Sequence, residues 1–141
     1  MAKLTAFTRN ATAMTDGTEV KVGPEKDRFS IVVRGMTDAY TDRLWALRQL
    51  ASVEYNASLK RGDVRSTPQN LPPSLDDRCV AQALGEKCLL DVHDLDAADG
   101  TPVTVEQFRE MLLRRENVLP LRLTLAAVAS VGLVRQRVGS G

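Results

Sequence analysis

The sequence predicts a mainly α fold with a small N-terminal β-hairpin, an α+β chain built as a helical bundle of about four helices. Three observations predict it. Helix-start signatures stand at Thr37–Asp38, Ser74–Asp77 and Thr104–Gln107, each ahead of apolar residues with helical spacing. Two short β-branched runs near the N-terminus flank a turn sequence. The chain has 141 residues, 43% of them hydrophobic and 26% charged, so it is one domain that can bury a core without staples.

Residues 1–17 are rich in Thr, Ala and Asn without a clear period. They read as an arm, disordered alone or ordered by a partner. A single globular domain is expected over 18–134. It opens with a hairpin over 18–33, in which Thr18–Val22 and Phe29–Val33 are the strands and the intervening Gly-Pro pair carries turn chemistry.

A helix over 37–55 follows, with Asp38 and Asp42 in its first turns, where the helix dipole favours negative charge. Tyr40, Leu44, Leu47, Ala51 and Tyr55 form its expected core stripe. Asp38, Asp42, Gln49, Ser52 and Asn56 fall on the opposite side, with Trp45 in their midst. A large aromatic placed there either anchors a partner or is covered by another segment of its own chain.

Residues 57–73 read as a polar, mobile or contact-making linker containing three prolines. A helix over 75–90 comes next, weakened by Gly85. Its end, Leu89–Val92, is also able to leave as an extended segment. The last helices are expected over 104–116, with Phe108, Met111 and Leu112 on one side, and 120–134, with Pro120 in the first turn. The final helix is apolar nearly all round, which places it in the centre of the domain or against another subunit. Residues 135–141 form a polar tail.

Known chemistry is hard to build from these residues. His93 stands between Asp91 and Asp94, but no nucleophile is signposted beside it. On one straight helix Cys79 and Cys88 would lie about 13 Å apart and half a turn out of phase. That geometry excludes a local disulfide and points to two buried thiols in a reducing compartment. The acidic run from Asp94 fails as a calcium loop, because Asp99 stands where glycine is needed and Val105 where the glutamate is needed. Phosphate-loop, dinucleotide and zinc spacings are missing. No catalytic residue, cofactor or metal ligand is therefore assigned.

A net charge of +1 with scattered basic residues argues against nucleic acid. The run from Leu119 to Val134 is too short and too interrupted to span a bilayer, and the first residues lack the apolar region of a signal peptide. Arg61-Gly62-Asp63 repeats the integrin-ligand tripeptide, with nothing else in the sequence to accompany it. What remains is protein binding. The candidate contact residues are Trp45 and Tyr55 on the long helix, Arg61 and Val64 in the linker, and Leu125, Val128 and Leu133 on the last helix.

Two stretches carry a family resemblance. Phe29-Ser-Ile-Val-Val-Arg34-Gly35 runs from a strand into the Thr37–Asp42 helix start. Leu89-Leu-Asp91-Val92-His-Asp-Leu95 leads through Asp99-Gly100-Thr-Pro-Val-Thr104 to Phe108, and an Ala-rich apolar helix, Leu125–Gly132, closes the series. Over roughly residues 18–134 this order resembles small tail-module proteins of tailed phages, in particular the tail-assembly chaperones. The resemblance implies a non-catalytic protein that binds a tape-measure protein through apolar helical surface in the host cytoplasm, and that self-associates into a homo-oligomer. The alternatives are a virion structural protein whose arm and loop contact neighbouring subunits, and a host-directed inhibitor.

Overall fold

Three antiparallel strands, β1 (Thr18–Val22), β2 (Phe29–Val33) and β3 (Leu89–His93), form one sheet in the order β1-β2-β3. The computed structural model describes Leu4 and residues 8–132. Within them lie α1 (Ala11–Asp16), α2 (Asp38–Ala57), α3 (Pro73–Lys87), α4 (Val105–Leu112) and α5 (Val118–Ser130), with a 3₁₀ turn at Arg115–Asn117. Leu133, the end of the expected last helix and the tail at 135–141 lie outside the described residues, as do most of residues 1–7.

The chain is mixed α+β, and two finer expectations give way. The first two strands do not stand as a separate hairpin. They pair from Thr18↔Val33 to Val22↔Phe29, and β3 then adds along β2. A two-stranded hairpin is marginal in water, and a third strand makes it viable. The third strand comes from Leu89–His93, the end of the helix expected over 75–90, where Leu89–Val92 is also able to leave as an extended segment. That helix stops at Lys87 because the chain must turn there to reach the sheet.

The helices do not form a four-helix bundle either. They lie over one face of the sheet, the face that carries Val20, Val22, Phe29, Ile31, Val33 and Val92. Glu19, Lys21, Asp91 and His93 occupy the opposite, solvent-facing side. Phe108 of α4 is completely buried and meets Phe29 edge to face at 5.9 Å between ring centroids.

The central helix is α3, which packs on α2, α4, α5 and β3. Its buried residues are small: Cys79, Ala81, Ala83 and Gly85, with Leu84 as the one large apolar group. Small side chains let neighbours close in from several directions, the reason an unremarkable amphipathic pattern ends in the middle. Gly85, which costs helix propensity, serves this packing. A Cβ there would lie 3.3 Å from Arg109 Cγ. Arg109 donates from Nε to the Gly85 carbonyl at 2.7 Å and from a terminal nitrogen to the Leu89 carbonyl at 2.9 Å, which clamps α4 to the α3–β3 junction. The apolar α5 is instead a flank. Thr124, Ala127 and Val128 are buried, whereas Leu119 is 63% exposed.

Residues 9–16, expected within an arm disordered alone or ordered by a partner, are bonded to the fold. Asn10 caps α1 by accepting from the Ala13 amide. Arg9 donates to the carbonyls of Ala129 and Val131, and the Asn10 amide donates to Gly132. Met14 sits so close to Gly35 and Gly132 that a Cβ on either glycine would stand 2.9 Å from its Cγ. Residues 9–16 therefore tie the start of the fold to the end of α5.

The linker also belongs to the fold. Asn56 accepts from the Ser66 amide at 2.8 Å and donates to the Ser66 carbonyl at 2.9 Å. Asn70 Oδ1 accepts from the Thr67 amide, and Ser66 and Leu71 are buried. Ser52, which the helical wheel places on the polar side, is buried as well. Asn56→Ala leaves two partly buried backbone groups unpaired and is expected to cost about 1–3 kcal/mol. Faster amide exchange at Ser66 checks it, since the bonded loop predicts protection in the parent chain only.

Candidate protein-interaction surface

Helix α2 lies on the side of α3 away from the sheet, with no extensive contact to any strand. It rests mainly on α3, to which Arg48–Asp76 (2.7 Å) and Arg43–Glu86 (3.3 Å) also bind it. Its inner side buries Tyr40, Leu44 and Leu47 on α3, while Ala51 and Tyr55 of the expected core stripe are half-buried. A second apolar stripe runs along its outer side. Ala46, Leu50, Val53 and Ala57 recur at i, i+4, i+7 and i+11 and fall within about 60° of arc. All four are exposed, Leu50 at 55% and Val53 at 65%. Trp45, 43% exposed, lies about 80° further round the helix from Val53, on the polar side beside Gln49 and Asn56. Among the described residues nothing covers the stripe.

Sequence reasoning found Trp45 here and missed Leu50 and Val53. Their signal is present in the i, i+4, i+7 spacing. It is hidden because a stripe between the core side and the polar side reads as a mere broadening of the core. The stripe leads into a cleft of about 540 Å³ between α2 and α3, lined by Leu50, Tyr55, Leu75, Cys79 and Gln82. Tyr55 is thus a cleft wall beside the stripe.

The other expected contact residues scatter. Arg61 and Val64 are exposed on the linker, Val64 at 84%. Asp63 of the Arg-Gly-Asp turn uses its carboxylate at home, accepting from the Lys60 amide at 2.8 Å. Leu125 is half-buried on α5. Val128 is fully enclosed by its own chain, so it is core and offers no contact.

The residues with chemical potential are arranged as follows. His93 Nε2 lies 3.5 Å from Asp91 Oδ2 on the exposed face of β3, two residues apart on one side of the strand. Asp99 accepts from both the amide and the hydroxyl of Thr101, and those bonds hold its carboxyl below the usual range. Among the described residues no group of three or more His, Cys, Asp or Glu could hold a metal ion, and no helix is long and apolar enough to cross a membrane.

Both thiols are free and buried. Burial raises Cys79, with Asp76 adding to the effect. Burial pushes Cys88 up to about 12, against an opposing pull from Arg34, and its Sγ lies 3.6 Å from the Gly35 carbonyl oxygen. A thiol raised in this way stays protonated in the fold, whereas the unfolded chain releases its proton near pH 9.0. Its contribution to stability is therefore complete below about pH 9 and is lost as pH rises toward 12. Native protein at pH 8 is expected to react with a thiol reagent far more slowly than denatured protein. Equal rates would contradict the burial.

No family model, curated protein or solved structure matches the chain.

Proposed function

We propose that this protein is a non-catalytic assembly factor of the tail-assembly chaperone kind, which holds a tape-measure protein through the outer side of α2. The observation that carries the reading is the uncovered stripe Ala46–Leu50–Val53–Ala57, with the part-exposed Trp45 on the adjoining polar side of the same helix. Its spacing is the one by which an apolar helix seats on another. A tape-measure protein is long and helical, so it offers such a partner repeatedly. Self-association through the same stripe keeps the protein in solution before the partner arrives.

Two further features favour this reading over a resident virion subunit. Such a subunit would reach neighbours with its arm and its proline-containing loop. Here residues 9–16 are bonded to α5, and the loop is bonded to Asn56. The site of action is the host cytoplasm during assembly.

A mass-spectrometric census separates the readings. The chaperone is expected in lysate complexes with the tape-measure protein and is lost from finished particles. Stoichiometric copies in purified virions would overturn the proposal in favour of a structural subunit. Recovery of a single host enzyme in its place would point to a host-directed inhibitor.

A further inference from the structure

We infer a second docking site, separate from α2, that takes an acidic segment carrying large aliphatic side chains. It is a groove of about 350 Å³ where the start of α3 faces the end of α4 and the start of α5. The apolar part of its wall is Leu75, Leu112, Leu113, Val118 and Leu121, of which Leu113 is 39% and Val118 43% exposed. Three guanidinium groups, Arg78, Arg114 and Arg115, line the same groove. Among the described residues none of the three has a carboxylate within ion-pair distance. Asp77 is the one acidic residue lining the groove, so the lining carries a net charge of +2.

This combination selects its occupant. An engineered cavity of ~150 Å³ takes one benzene, so the groove accommodates about two branched aliphatic side chains. Three unpaired guanidinium groups around an apolar wall add a requirement for carboxylates, which Arg binds as a planar fork. Nucleic acid fits less well, because no aromatic side chain lines the groove to stack a base. A segment like Arg135–Arg137 lacks the carboxylates that this lining calls for. The occupant is therefore a partner segment in which Glu or Asp alternates with Leu or Ile. This site does not depend on the tail-assembly reading and stands or falls separately from it.

The probe is a fluorescent peptide of repeated Glu-Leu-Leu-Glu units, titrated with the full chain and followed by anisotropy. Saturable binding is expected, weakening as salt is raised. The double variant Arg114→Glu/Arg115→Glu is expected to bind at least about tenfold more weakly, and so is Val118→Asp. Trp45→Asp is expected to bind the peptide as the parent does. Circular dichroism of each variant controls for folding. Equal binding of a Lys-Leu-Leu-Lys peptide would overturn the inference, as would unchanged affinity in the folded double variant. It would also be overturned by tighter binding of a single-stranded oligonucleotide, or by self-association of the chain that the double variant abolishes.

Discussion

Phe108→Ala is expected to destabilise the fold by about 3–5 kcal/mol, the largest effect of any single truncation in this chain. Phe108 has no exposed surface and touches the sheet through Phe29. It therefore couples α4 to the inner side of β2, next to the fully buried Ile31 and Val33. Removing the ring loses both its transfer free energy and the contacts around the cavity it leaves. Domains of this size are commonly stable by only ~5–15 kcal/mol, so a large share of the total is at stake. Urea unfolding followed by circular dichroism measures it. Phe108→Leu, which keeps most of the volume, is expected to cost clearly less. Equal losses for the two variants would show that ring volume is not what the site needs.

Trp45→Asp combined with Leu50→Asp is expected to weaken partner binding by about a hundredfold, roughly 2.7 kcal/mol, while leaving the unfolding midpoint nearly unchanged. Aromatic anchors at interface centres carry losses of this order, and surface substitutions away from a packed core cost little stability. Leu50 is 55% and Trp45 43% exposed in the isolated chain, so neither is part of the closed core. A large drop in the midpoint would mean that the stripe is covered within the chain.

Much of the local structure was legible in the sequence. The strands at Thr18–Val22 and Phe29–Val33 follow from β-branched runs around turn residues. The start of α4 follows from Thr104 and Gln107, which form a capping box with both reciprocal bonds present. What escaped was long-range. That Leu89–Val92 can leave its helix as an extended segment was legible, but its pairing with β2 as a third strand depends on an edge that no local window contains. The centrality of α3 rests on Ala81, Ala83 and Gly85, whose small size reads as weak hydrophobicity and not as close approach. The apolar α5 was expected at the centre of the domain or against another subunit; within the chain it is a flank, with the sheet, α3 and α4 covering only part of it.

The surface was the least legible part. A helix wheel separates apolar from polar, and α2 has two apolar stripes with different fates. Tyr40, Leu44 and Leu47 meet α3, while Ala46, Leu50 and Val53 meet solvent. Which stripe is covered depends on where α3 lies, and that is a tertiary fact. Asn56 and Ser66 make the same point for the linker. A polar, proline-containing run reads as mobile until the two bonds between them are seen.

The most direct test of binding through α2 is the fluorescence of Trp45, the sole tryptophan of the chain. In the isolated protein its emission is expected to be close to that of a water-exposed indole. Titration with a helical tape-measure segment is predicted to shift the emission to the blue and to saturate at a fixed stoichiometry. An emission that stays unchanged while the segment binds would place the interface elsewhere and contradict the account.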